Sequence, residues 1–408
     1  MSRSAIHVVG GVYEESCMRP HWHEIFGSAG RAASAIAGIG GHGAAVLHCL
    51  LDERCAPVIA ARCALDGILL HGQSTPRTPA FRYVHGLHRP ELTHPSDSRQ
   101  SISAAADCVL RFGMVDGEGV VRGRRVVFDP QDGTRPALFQ ANGSKADELV
   151  VVLNEREAVA MTRLPDADPV SLAKTVRAAN SAKGVVLKRG PFGALVCDED
   201  EVVEVPAYAT EHVWKIGSGD VFAAHLAYRW MADGLSLAQS ADLASRATAV
   251  YCDTQAFPLP QSLNSFDRRA VIASPQYRAG YRANVYLAGP FFSLAQQWIV
   301  EQARSNLGSF GLEVFSPLHD VGPGSAETVV ESDLEGIRRA DIVFAIADGL
   351  DAGTIYEIGY ARALSKPVVV YCENEGAEDR KMMIGSDCVM RDDYVSAIYA
   401  TLWVAAAL

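Results

Sequence analysis

A set of short apolar runs constrains the fold of this chain more than any other feature. Val126-Val127-Phe128-Asp129-Pro130, Leu149-Val150-Val151-Val152-Leu153-Asn154 and Val185-Val186-Leu187-Lys188 form one group; Asn284-Val285-Tyr286-Leu287-Ala288, residues 312–315, 341–347 and 367–372 form another. Each is too short for a typical helix, and most lack the alternation of a half-exposed strand, so they must be covered on both faces. Helical stretches lie between them, including 293–306, 328–339 and 354–364. This alternation predicts an α/β fold built on mostly parallel sheets. Polar residues collect where the runs end, and in an open parallel sheet that edge is where ligands bind.

The 408 residues exceed one ordinary domain, and 49% apolar with 21% charged residues is a globular composition. Two domains are expected. Periodicity fades around Pro258, Pro260, Ser274-Pro275 and Gly280, which predicts a first domain over 1–270, a linker over 271–283 and a second, smaller domain over 284–408. In the first, residues 6–9 read as a strand running into Gly10-Gly11, 28–40 as a small-residue helix, and 44–51, 67–70 and 81–84 as further strands around a turn-rich loop at 74–79. In the second, short connections between strand and helix, ending in a helix over 394–404, predict an open parallel sheet of flavodoxin-like type.

A net charge of -11 with no long basic run argues against a nucleic-acid partner. Small-molecule chemistry is expected instead. No apolar segment follows Met1-Ser2-Arg3, and no stretch is long and apolar enough to cross a bilayer, so no membrane partner is expected. The nine cysteines are scattered without a C-x-x-C pair, the pattern of reduced thiols, which predicts a cytoplasmic location. His21-Trp22-His23 lacks acidic or thiol partners and reads as surface rather than as a metal site.

Two stretches carry chemistry. Lys215-Ile216-Gly217-Ser218-Gly219-Asp220 opens an apolar helical run that reaches Met231. Glycines at a helix start leave N–H groups able to hold a phosphoryl group, with Asp220 placed to take a proton from an attacking hydroxyl; a glycine-rich cap without a ligand explains the same residues. The second stretch, Asp351-Ala352-Gly353-Thr354-Ile355-Tyr356-Glu357, directly follows the run 341–347. It reads as a loop and then a helix from Thr354, which puts Glu357 in the first turn at the sheet edge. A carboxylate that merely complements the helix dipole is the plain alternative.

Asn154-Glu155-Arg156-Glu157 after one strand, Lys188-Arg189-Gly190-Pro191-Phe192-Gly193 after another, and Gly217-Ser218-Gly219-Asp220 before a helix occur in the order of the ribokinase-like (PfkB) carbohydrate and nucleoside kinases. Residues 5–262 resemble that family. The resemblance implies a three-layer α/β domain that uses ATP and Mg²⁺. Asp220 would be the base, Gly217, Ser218 and Gly219 the anion hole, and Asn154 with Glu157 would organise Mg²⁺ indirectly; Lys188 and Lys215 are grouped with the ATP and anion contacts. Arg31 stands where the family's glycine-rich substrate motif has Asn, Trp214-Lys215 where Asp-Thr is usual, and the short N-terminal region implies a reduced lid. Arg31, counted among the substrate contacts, and Lys215 add positive charge and suit a ligand that is already phosphorylated. Side chains turned to solvent or to nearby carboxylates are the other reading.

Tyr286-Leu287-Ala288-Gly289-Pro290-Phe291-Phe292, Ser332-Asp333-Leu334-Glu335-Gly336-Ile337 and Asp351-x-Gly353-Thr354-x-x-Glu357-x-Gly359-Tyr360-Ala361 resemble the nucleoside 2-deoxyribosyltransferases across 284–408. The resemblance implies Glu357 as a nucleophile forming a glycosyl ester at C1′, Asp333 handling the base and its proton, and no cofactor. Substrate contacts would fall on Tyr286, Gly289, Phe292 and Asp351. Breaking an N-glycosidic bond builds oxocarbenium character, which wants one ionised carboxylate against the sugar and a second acidic group at the leaving base. Core packing is the alternative for Tyr286 and Phe292, and a solvated acidic face with Glu331 and Glu335 is the alternative for Asp333. The family completes its pocket across subunits with an Asn-bearing segment. The matching Arg380-Lys381-Met382-Met383-Ile384-Gly385 lacks that Asn, and a homo-oligomer is still expected.

The expectation is a bifunctional enzyme acting on nucleoside, nucleotide or sugar small molecules. It would cleave or exchange an N-glycosidic bond and phosphorylate a sugar or nucleoside hydroxyl. The alternative is a degenerate kinase domain that senses a nucleotide and regulates a nucleotide or NAD glycohydrolase, in a toxin-like or phage-defence role.

Overall fold

The computed structural model describes residues 4–94 and 100–408, so the Met1-Ser2-Arg3 start lies outside it. The chain divides into two compact units, one of residues 1–210 with 214–270 and one of 211–213 with 271–408. Among the described residues no helix is long and apolar enough to cross a membrane.

Unit 1 begins with β1 (Ile6–Val9), β2 (Glu14–Cys17), β3 (Trp22–Ile25), α1 (Gly27–Gly40), β4 (Ala45–Leu51), α2 (Ala56–Asp66) and β5 (Leu69–Ser74). It continues through β6 (Ala80–Tyr83), β7 (Glu91–Thr93), β8 (Gln100–Phe112), β9 (Gly117–Asp129), β10 (Lys145–Asn154), α3 (Glu155–Thr162) and α4 (Pro169–Asn180). It ends with β11 (Gly184–Lys188), β12 (Ala194–Cys197), β13 (Val202–Val205), α5 (Ser218–Met231), α6 (Leu237–Thr254) and α7 (Pro260–Asn264). Nine strands form one sheet in the order β13-β12-β11-β10-β9-β8-β1-β4-β5. It is parallel except where β12 pairs with its two neighbours.

The apolar runs sit in the middle of this sheet. Val126, Val127, Val150, Val151, Val152, Val185 and Val186 are each no more than 1% exposed. One face packs Ile6, Val8, Leu47 and Leu110 against Ala32, Ile36, Phe222 and Leu226 of α1 and α5. The other packs Val151, Leu153 and Val185 against Ala158, Leu172 and Val176 of α3 and α4. At about 1.5–3 kcal/mol for each large apolar side chain, this burial is what commits the runs to the sheet.

One arrangement has no counterpart in the local sequence signals. β8 and β9 are parallel over twelve registered pairs, from Gln100↔Gly117 to Phe112↔Asp129, yet only residues 113–116 join them. A connection that short is possible because the pair doubles back on the sheet. A methyl added at Gly119 would lie 2.9 Å from Val9 Cγ1, and one at Gly117 would lie 2.9 Å from Leu50 Cδ1. Ile102, Ala104 and Val121 thereby roof strands β1 and β4 where a helix would otherwise be needed.

β3, β2, β6 and β7 form a separate four-stranded sheet. The strand expected over 81–84 belongs here, because Glu14↔Ala80 through Cys17↔Tyr83 pair β6 with β2. The N-terminal region is short, but it builds this second sheet rather than dispensing with one.

Unit 2 contains α8 (Pro275–Arg278), β14 (Asn284–Ala288), α9 (Leu294–Ser309), β15 (Glu313–Phe315), α10 (Ala326–Arg339) and β16 (Ile342–Ile346). It ends with α11 (Ala352–Ala363), β17 (Val368–Tyr371), α12 (Lys381–Gly385), β18 (Val389–Arg391) and α13 (Tyr394–Ala407). The sheet order is β15-β14-β16-β17-β18 and every pair is parallel. In order of appearance that is second, first, third, fourth, fifth, the flavodoxin-like arrangement. Residues 271–283, expected as a linker, pack inside this unit. Ser274 N donates to Ala406 O at 2.8 Å and Tyr277 is buried. Their helix is only four residues long, too short to show a period in the sequence.

Candidate active sites

In unit 2, β14 carries Tyr286 at its centre, fully buried and stacked on Phe315 at 5.7 Å. The loop after β16 leads to Asp351, which caps α11: its carboxylate accepts Thr354 N at 2.9 Å and Thr354 Oγ1 at 3.0 Å. The cap starts the helix at Ala352, so Glu357 lies in the second turn and not the first. Beyond the first turn the helix dipole falls off, so dipole complementation does not account for this carboxylate.

Tyr286 Oη donates to Glu357 Oε1 at 2.5 Å. Burial pushes the Glu357 carboxyl up to about 7; the Tyr286 hydrogen bond opposes the rise, and the negative charges of Asp333 and Asp351 add to it. The tyrosine itself is held far above the ordinary phenol range by burial and then by Glu357, so it stays a donor. Burial also raises Asp333, whose Oδ1 is buried with no hydrogen-bond partner among the described residues. Its neighbours Glu331 and Glu335 pair with Arg338 and Arg339 at the surface. Asp333 is outside that network, so the solvated-acidic-face alternative does not describe it.

The remaining expected contacts divide. Gly289 is hemmed in by β16, since an added methyl would lie 3.2 Å from Ile346 Cβ. Phe292 is 74% exposed beside Phe291, which rules out core packing. Glu357, Tyr286, Asp333 and Asp351 form one electrostatic group: two carboxyl groups with raised values and a fixed phenolic donor.

In unit 1, Gly217 caps α5 with φ of 78°, and Asp220 follows in the first turn. Asp220 is occupied on both oxygens. Arg31 Nη1 donates to Oδ2 at 2.8 Å, and Gln131 Nε2 donates to Oδ1 at 2.8 Å. Arg31 is 1% exposed and also donates through Nη2 to Glu15 Oε2 at 2.6 Å. Burial works against its charge, but Glu15, Tyr251 and Asp220 outweigh that and hold it well above its ordinary value. Of the two readings of Arg31, the one with nearby carboxylates matches its pairing with Asp220 and Glu15. Its guanidinium lies so close over Gly217 that a methyl there would be 2.2 Å from Nε.

The phosphate-suited groups stand beside this cluster. Lys188 Nζ contacts Asp129 Oδ2 at 2.5 Å, and a methyl at Gly219 would lie 3.6 Å from the same ammonium. Lys215 Nζ donates to Ser218 Oγ at 3.3 Å, and burial lowers it. Of the cradle amides, Ser218 N bonds Lys215 O and Asp220 N bonds Gly217 O, both at 3.1 Å. Asn154 and Glu157 close a capping box on α3: Glu157 N donates to Asn154 Oδ1 at 2.9 Å, and Asn154 N to Glu157 Oε2 at 2.8 Å. Asp129 Oδ1 is buried with no hydrogen-bond partner among the described residues. Two ammonium groups at a helix N-terminus fit a polyphosphate such as that of ATP. Among the described residues no three His, Cys, Asp or Glu side chains are grouped as a metal ion would take them.

Two residues bonded into the Arg31–Asp220 cluster carry no signal of their own in the motifs, Glu15 and Gln131. The alternation Tyr13, Glu15, Cys17 marks an inward-facing row, which is the signal for the first. Nothing local marks the second.

Comparison with known proteins gives two family matches. The model for pfkB family carbohydrate kinases matches residues 126–256, and that for nucleoside 2-deoxyribosyltransferases matches residues 285–390. An uncharacterized protein of Ureaplasma parvum serovar 3 is 31% identical over 101 residues, which are 21% of this chain and 64% of that protein. The chain thus spans about 64% of the length of this curated relative. Among solved structures, ribokinase from Thermotoga maritima is 15% identical with a TM-score of 0.46, covering 64% of this chain and 98% of its own. A pyrophosphate-dependent kinase in the ribokinase family, complexed with a pyrophosphate analog and myo-inositol, is 15% identical with a TM-score of 0.48, covering 64% and 100%. Phosphofructokinase-2 from Escherichia coli is 14% identical with a TM-score of 0.48, covering 64% and 98%. Residues 126–256 therefore match the pfkB family carbohydrate kinases within a mostly parallel α/β unit, and residues 285–390 match the nucleoside 2-deoxyribosyltransferases on a five-stranded parallel sheet.

Proposed function

We propose that unit 2 breaks the N-glycosidic bond of a nucleoside or nucleotide by covalent catalysis. A Glu357 carboxylate oxygen attacks C1′ while the C1′–N bond breaks. Its electron pair goes to the base nitrogen, which takes a proton from the Asp333 carboxyl. The glycosyl ester is then released to a second base or to water. The observation that carries this reading is the Tyr286 hydrogen bond to Glu357 within a group that also contains an unpartnered Asp333 oxygen. Tyr286 orients the nucleophile through its hydrogen bond to Oε1.

The test is incubation with nucleosides, deoxynucleotides and NAD, followed by acid quench and peptide mass spectrometry. A glycosyl mass on the peptide bearing Glu357, absent from Glu357→Gln, is the expected result. Release of free base at an undiminished rate by Glu357→Gln sinks the mechanism. An assembly of copies belongs to the same reading, supported by apolar surface at Phe292, Leu294 and Met382, the last two each 83% exposed. Light scattering coupled to size exclusion checks it.

For unit 1 a second reading is favoured over phosphoryl transfer. A kinase with ATP and Mg²⁺ would need Asp220 to accept a proton from a hydroxyl, yet Arg31 and Gln131 already occupy both of its oxygens. That bonding supports a ligand-binding unit that senses a nucleotide and regulates unit 2. Steady ADP production from Mg-ATP that disappears in Asp220→Asn would defeat the sensor reading. A change in base release on adding ATP, with no ADP formed, supports it.

A further inference from the structure

A cleft of about 210 Å³ lies in unit 1 against the second sheet, lined by Glu14, Ser16, Arg54, Arg77, Arg82 and His94, with Asp52 and Thr93 completing it. It stands apart from the Asp220 centre by strand geometry: along β2 the side chains of Glu15 and Cys17 are buried, and those of Glu14 and Ser16 project from the opposite face.

Three guanidinium groups from three separate segments converge on this cleft, in a chain whose net charge is -11. Its two acidic residues are already engaged. Asp52 Oδ1 accepts Arg54 N at 3.1 Å and Cys55 N at 2.8 Å, and Oδ2 accepts Thr78 N at 3.0 Å. Glu14 is shared between His23 at 2.9 Å and Arg54 at 2.5 Å. Arg77 donates to His94 Nε2 at 2.7 Å and has no carboxylate partner among the described residues. The Arg82 side chain makes no hydrogen bond or ion pair among the described residues, although Glu91 stands opposite it in register. Two exposed planar forks and the Ser16 hydroxyl therefore face a cleft with positive charge left over.

We infer that this cleft binds a small phosphate monoester, with Arg77 and Arg82 gripping the dianionic oxygens. Arginine forks match phosphate geometry two bonds at a time, and the volume admits the phosphate together with a small organic group.

The test is calorimetric titration of the full chain with ribose 5-phosphate, inorganic phosphate and ribose at low salt. Ribose 5-phosphate and inorganic phosphate are expected to bind and ribose is not, with affinity falling as salt rises. Arg82→Gln and Arg77→Gln should each weaken binding about 10-fold or more. Arg82→Lys, which keeps the charge and loses the fork, should fall between. Lys145→Gln, an exposed position on β10 outside the cleft, should leave the affinity unchanged. Far-UV circular dichroism checks that each variant is folded. The inference is overturned if wild type binds neither phosphate, if both arginine-to-Gln variants bind as wild type does, or if Lys145→Gln alone abolishes binding. It is overturned as to ligand class if inorganic phosphate binds and the monoester does not.

Discussion

Glu357 and Asp220 are both carboxylates near the start of a helix on an α/β scaffold, and their surroundings are opposite. Glu357 has one hydrogen-bond donor, Tyr286, and negative neighbours that raise it to about 7. Asp220 has donors on both oxygens, one of them a buried guanidinium. The first is short of positive partners and so retains basicity and a free lone pair. The second is already bonded on both oxygens and lies against a cation. A carboxylate's position on a fold fixes where chemistry is possible; the count of donors aimed at it decides whether chemistry is available.

The contrast breaks most sharply at the nucleophile. Glu357→Gln should lower base release by at least about 10³-fold, read by chromatography of the free base, with the fold intact. If Asp220 is instead the residue whose loss stops base release, the comparison is inverted. Next in size is Arg31→Met, which strands the buried Glu15 without its cation. It should destabilise unit 1 by about 3–5 kcal/mol in denaturant titration. Tyr286→Phe should cost about 10-fold to 100-fold in rate. Because the tyrosine bond holds Glu357 down, the acid limb of the pH–rate profile should also move to higher pH. In wild type that limb should lie near pH 7, with the rate falling below it as Glu357 takes up a proton.

The same shift makes a stability prediction with a definite sign. Folding pushes the carboxyl up to about 7 from its ordinary 4.5, so the native state holds an extra proton between them. Unit 2 should lose stability as pH rises through that window. Thermal unfolding should show the loss in wild type and not in Glu357→Gln. The smallest effect is expected at Asn154→Ala, which opens the α3 capping box at a cost of about 1 kcal/mol, measured by thermal or chemical unfolding.

What the sequence reveals differs between the units for a physical reason. Unit 2 is built from consecutive strand–helix pairs, so 284–288, 341–347 and 367–372 announce themselves as apolar runs, and Glu357 follows one of them directly. In unit 1 the runs of β9, β10 and β11 are equally plain. The β8 half of the doubled-back ladder is not, because the exposed Ser101, Ser103 and Ala105 alternate with Ile102, Ala104 and Ala106, of which only Ile102 is a strong apolar signal. The kinase-family match begins at Val126, where that irregular stretch gives way to the buried half of β9. The site was legible as far as its own motifs reach. Asp220 and Arg31 are visible as residues, but their bond spans 189 positions, and no local period encodes a contact at that range.

The capping box at Asn154 and Glu157 has an implication for how this kind of chain changes over time. Both side chains earn their place by starting α3, through two reciprocal bonds to backbone amides. Selection for a well-formed helix is then sufficient to retain the Asn-x-x-Glu signature, whatever happens to phosphoryl transfer. A lineage could exchange its chemistry for binding at Arg31 and Asp220 while that signature passed unaltered from ancestor to descendant. Among the residues that look like a kinase's, the informative ones are those with no folding duty of their own.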